Sequence, residues 1–126
     1  MSEKSESSAI HRVAGNVPTR HWGSAFRDIA WLLGMSDDFS LPFEEQAVRA
    51  FAALDRGLAE VGSSRDRLLN VQVYLHDIGR KAEFDRMWAD WIGDDPQGWP
   101  MRSCVQVTFA GDNKIELIAV AARGGP

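Results

Sequence analysis

The chain has 126 residues, 44% hydrophobic and 25% charged, with a formal net charge of −4 and a pI of about 5.3. This is the composition of an ordinary soluble globular protein, and its acidic balance argues against a nucleic-acid partner, whose phosphates call for a basic stripe. A single cysteine rules out an internal disulfide and fits a reducing, cytoplasmic setting. No apolar run approaches the ~20 residues that span a bilayer, so no membrane partner is expected.

Residues 1–9 are acidic and serine-rich, lack the layout of a signal peptide and read as a disordered tail; 10–126 read as one domain. Ile10 to Val13 forms a short first strand, and Arg20 to Phe26 enters extended after Pro18. Ile29 to Leu33 is an apolar run too short for a helix, read as a central strand buried on both faces. Residues 43–61 carry Phe43, Ala47, Ala50, Phe51, Leu54, Leu58 and Val61 at helical spacing. Ser40 is the expected N-cap, with Pro42 in the first turn and Gly62 just past the end. Leu68 to Leu75 alternates as a strand. Lys81 to Ile92 is a second helix with Phe84, Trp88 and Trp91 toward the core. The loop from Asp94 to Trp99 delivers the chain to Arg102.

Residues 102–109 alternate with period two, and Ile115 to Ala121 is again β-rich after Gly111-Asp112-Asn113. Read as a hairpin with Ala110 opposite Lys114, the two runs place Arg102, Cys104 and Glu116 on one side. The order β-β-β-α-β-α-β-β lets two helices cover one sheet face only. The other face, expected to carry Asn70, Gln72, Tyr74, Arg102, Gln106 and Glu116, suits a partly wet subunit interface.

Several segments together resemble the RidA/YjgF family of small deaminases. They are Phe43-Glu44-Glu45-Gln46, Gly62-Ser63-Ser64, Val71 to Asp77, Asp85-Arg86-Met87-Trp88, Pro100-Met101-Arg102-Ser103-Cys104-Val105 and Lys114-Ile115-Glu116. The resemblance covers about Trp22 to Ala122. It implies an α+β, chorismate-mutase-like subunit: a mixed sheet with two helices on one face, forming a homotrimer with three inter-subunit clefts. It further implies cofactor-independent hydrolysis of a small enamine or imine acid of the 2-aminoacrylate type to a 2-keto acid and ammonia.

By that resemblance Arg102 holds the substrate carboxylate, which a planar guanidinium does with two parallel hydrogen bonds. Glu116 positions water, and Cys104 lines the site. Trp22, Leu33, Gly34 and Asp85 stand where the family has other substrate-binding positions, and three of them depart from its pattern. Trp22 replaces a tyrosine, Leu33 a serine and Asp85 an asparagine. Retention of Arg102 points to an acid-bearing ligand. The lost polar groups leave room for a different enamine acid, or for a trimer that binds a small carboxylate without turning it over. His11, His21 and His76 are scattered and show no ligand spacing with Cys104, so no metal is expected.

Overall fold

The computed structural model describes residues 9–124, so the tail expected over 1–9 lies, apart from Ala9, outside the described residues. The elements are β1 (His11–Val13), β2 (Gly23–Phe26), β3 (Ile29–Met35), α1 (Phe43–Glu60), β4 (Leu68–Leu75), α2 (Lys81–Ile92), β5 (Met101–Gln106) and β6 (Ile115–Ala122). They follow the predicted order. The six strands form one mixed sheet in the order β1-β2-β3-β6-β4-β5. β5 runs parallel to β4, and all other pairs are antiparallel.

The predicted hairpin does not form, because β4 lies between β5 and β6. A parallel neighbour needs a crossover, and α2 supplies it between β4 and β5. Residues 107–114 then cross the end of β4 instead of turning tightly. Val107 donates to the Leu75 carbonyl at 2.9 Å, and His76 donates to that of Lys114 at 3.0 Å.

One sheet face packs on the helices. Ala30, Leu32, Val71, Val73, Leu75, Ile115, Leu117 and Ala119 are buried there against Phe43, Ala47, Phe51, Leu54 and Leu58 of α1 and Phe84 of α2. Phe51 stacks on Phe84, their ring centroids 5.6 Å apart. The helix-facing sides of β3 and α1 carry glycines for closeness. A Cβ on Gly34 would meet the Ala50 carbonyl oxygen at 2.6 Å, and one on Gly57 would meet the Leu32 side chain at 3.0 Å. The cap differs from expectation. Pro42 itself is the N-cap, without a side-chain hydrogen bond, and the Ser40 hydroxyl binds Asp38 Oδ1 at 2.6 Å.

The other face is open. β3 is not buried on both sides: Ala30 and Leu32 point to the helices, while Trp31 is 48% exposed. With Trp31 stand Leu33, Met35, Ile118 and Val120 in paired register, then Gln72, Tyr74, Val105 and Met101 farther along. Trp31, Met101 and Val105 are exposed. This face is therefore more apolar than the sequence reading had it. Arg102 and Gln106 do not belong to it, since they pair with Val71 and Leu75 and so share the helix side.

Candidate functional site

Arg102 lies on the edge strand β5, pointing toward α2, with 18% of its side chain exposed. Its guanidinium carbon sits 5.6 Å from the ring centroid of Phe84 and 5.2 Å from that of Trp88. The aromatic faces attract the cation and shield it from water. Nη2 donates to Asp85 Oδ1 at 2.7 Å, and Asp85 Oδ2 accepts from Lys81 Nζ at 2.7 Å one helical turn earlier. The result is a chain of two cations about one carboxylate. Burial pushes the Asp85 carboxyl up, but the hydrogen bonds and charges of Lys81 and Arg102 outweigh it and hold it below the usual aspartate value.

Cys104 follows on the same side of β5, half-buried against the core. Burial pushes its thiol up, against the pull of Arg102 and Lys81 and with a further push from Asp85. A thiol held protonated is a poor nucleophile.

Glu116 does not join Arg102 and Cys104 on one side. It pairs with Met35 and Tyr74, and its neighbours Ile115 and Leu117 point into the core, so its carboxyl stands on the open face. The sequence expectation fails because it needed β5 and β6 to be adjacent. Burial pushes the Glu116 carboxyl up, only partly offset by Asn113 Nδ2, which donates to Oε2 at 3.3 Å. Asn113 itself is held by a hub absent from the sequence reading of the site. Buried Gln46 accepts from the Lys114 amide at 3.0 Å and donates to the Asp112 carbonyl at 3.1 Å, fixing the turn that precedes Glu116.

Trp22 and Leu33 come together, lining one cavity on the open face with Ile118, and the Leu33 amide donates to the Trp22 carbonyl at 2.8 Å. Gly34 does not join them; it is buried against α1. Asp85 lies with Arg102. The predicted residues thus fall into two candidate half-sites on opposite faces of the sheet: Arg102, Cys104 and Asp85 on one, Trp22, Leu33 and Glu116 on the other. Sequence reasoning missed Lys81, as well as Arg12, Arg20 and His21, which line the cavity beside Trp22. Lys81 was findable, since it precedes Asp85 by four residues on a helix. Among the described residues no group of three His, Cys, Asp or Glu side chains is placed to hold a metal ion.

The comparisons with known proteins agree with this architecture. Residues 9–123 match the family described as Endoribonuclease L-PSP. A RutC family protein of Haemophilus ducreyi is 27% identical over 99 residues, covering 77% of this chain and 83% of the relative. One from Haemophilus influenzae is 25% identical, over 78% and 85%. The crystal structure of a YjgF family member from Neisseria meningitidis superposes with a TM-score of 0.80 at 25% identity, over 95% of this chain and 99% of that one. A six-stranded mixed sheet with two helices and a family match across nearly the whole chain lead to one assignment: the protein belongs to the RidA/YjgF family, also described as RutC and Endoribonuclease L-PSP.

Proposed function

We propose that the protein is a cofactor-independent deaminase that hydrolyses small carboxylate-bearing enamines or imines to 2-keto acids and ammonia. The observation that carries this reading is Arg102. It is largely buried over two aromatic faces, and its only side-chain hydrogen bond among the described residues leaves from Nη2, so Nε and Nη1 remain for a ligand carboxylate.

The two half-sites lie on opposite faces, so one subunit cannot close both around one small molecule. A homotrimer resolves this. The open face of one subunit brings Trp22, Leu33 and Glu116 to the β5–α2 edge of the next, with its Arg102, Cys104 and Asp85. Exposed Trp31, Met101 and Val105 favour such burial.

In that cleft the ligand carboxylate binds Arg102. Protonation of the enamine carbon gives an imine, water adds to the C=N carbon, and the C–N bond breaks to release ammonia and leave the 2-keto acid. Glu116, with its carboxyl pushed toward neutrality, relays the proton to and from that water. The reaction proceeds unaided in water, so orientation of one acid and one water supplies the acceleration.

The test is 2-keto acid release from enzymatically generated 2-aminoacrylate. Wild type should accelerate release and Arg102→Ala should lose it, since leaving a buried ligand charge unpaired costs ~2–5 kcal/mol. Equal rates in the two proteins would sink the reading. A second reading is favoured by one observation: Asp85 already supplies Arg102 with a carboxylate. If 2-keto acids bind in an Arg102-dependent way without turnover, the protein is a carboxylate-binding trimer.

A further inference from the structure

On the open face, the loop between β1 and β2 leaves an open cavity of about 600 Å³, lined among others by Arg12, Arg20, His21, Trp22, Trp31 and Leu33. Its volume is that of a small-molecule site. Its apolar wall is aromatic and fixed. A Cβ on Gly15 would fall 2.0 Å from Trp22 Cδ1, so only a glycine lets the loop close on the indole. Thr19, also on the lining, is held at φ 75°, which a β-branched residue adopts only under constraint.

Arg12 and Arg20 bring positive charge to this cavity. Arg49, Arg65, Arg80 and Arg102 are each ion-paired to a carboxylate. Among the described residues Arg12, Arg20, Arg27, Arg56, Arg67, Arg86 and Arg123 are not, and of these Arg12 and Arg20 share this cavity. Arg12 is instead oriented by a neutral group, its Nη1 donating to Ser24 Oγ at 2.8 Å, in the row Arg12–Ser24–Trp31 across three strands. Among the described residues, two guanidiniums without a carboxylate partner thus line one cavity with two indoles, and a guanidinium presents a planar fork that matches a carboxylate.

We propose that this cavity receives a second carboxylate of the substrate, so that the enzyme prefers unsaturated dicarboxylic enamine or imine acids. One carboxylate lies on Arg102, the other on Arg12 and Arg20, and the conjugated body lies against Trp22. This rests on the inter-subunit cleft described above. It extends that reading by naming residues that select the substrate rather than react with it.

The test is calorimetric titration of the full chain at low ionic strength with a matched pair, glutaconate and 2-pentenoate, which differ by one carboxylate. The diacid should bind wild type at least tenfold more tightly, and the ratio of the two affinities should fall below threefold in Arg12→Ala and Arg20→Ala. Both positions are exposed, so circular dichroism should show the fold unchanged. Equal affinities in wild type, a preference that survives both substitutions, or no binding of either acid would overturn the proposal. Arg102→Ala separates the two ideas. Should only the dicarboxylate idea fail, both acids bind alike and both are lost in Arg102→Ala. Should only the Arg102 reading fail, glutaconate still binds Arg102→Ala and remains dependent on Arg20.

Discussion

Asp85 shows how one side chain changes what Arg102 offers. Its carboxylate sits 38% exposed between two cations and repels any second carboxylate approaching the same guanidinium. Asp85→Asn keeps the shape and removes the charge, so acid affinity should rise by roughly two- to fivefold, the scale of a partly exposed ion pair. Titration with pyruvate in both proteins checks this, and a fall in affinity would mean that Asp85 chiefly positions the arginine. Glu116 gives a pH prediction. Its carboxyl is raised above the ordinary 4.5 of a glutamate by burial, so folding favours the protonated form. The stability this gives is complete below 4.5 and is lost as pH rises through the folded value. Glu116→Gln should therefore melt higher than wild type at neutral pH, with the gap closing toward pH 4. Melting curves across pH 4–8 measure it, and parallel curves would contradict it.

At the scale of elements, the distance between α1 and β3 is set by residues without side chains. Gly34→Ala puts a methyl within 2.6 Å of a helix carbonyl oxygen, which cannot move without the helix. The expected loss is about 1–3 kcal/mol, as for other overpacked cores, read as a lower denaturation midpoint at unchanged slope. Leu33 lies on β3, which α1 supports, and its amide holds the Trp22 carbonyl, so an activity loss in this variant should track the stability loss. The β4–α2–β5 crossover has a second consequence. It carries Asp85 and Arg102 on consecutive elements, so the ion pair forms within one supersecondary unit and should survive loss of any oligomer.

For the whole molecule, the open sheet face is the surface on which assembly is expected. It exposes Trp31, Met101 (70% exposed) and Val105 beside the half-buried Leu33, Ile118 and Val120, and no other described residue covers them. We expect a homotrimer, three times the 14.0 kDa subunit mass, by native mass measurement or light scattering at micromolar concentration. Trp31→Asp should shift it to the subunit mass, because an unpaired charge at an apolar interface is costly. A wild-type monomer would remove the shared cleft, and with it the joint action of Arg102 and Glu116.

The residues by themselves determined the order of elements, the apolar stripe of α1, the six strands and the family. All of these rest on local periodicity and short-range motifs, which survive in a one-dimensional string. They also singled out Arg102, Asp85, Cys104, Glu116, Trp22 and Leu33, through motif positions. Strand neighbours were beyond their reach. Ile115 to Ala122 follows Met101 to Gln106 in sequence, yet pairs with β3 and β4, whereas a hairpin reading put Arg102 and Glu116 on the same side of one β-ribbon. Side-chain direction in a strand has period two, but which face is core depends on the partner strands and the helices above them. Only the tertiary structure therefore decided that Arg102 points at α2, that Glu116 points away from it, and that Arg12, Leu33 and Ile118 line one cavity with Trp22. Each of these follows from contacts between segments far apart in the chain, and no local pattern encodes them.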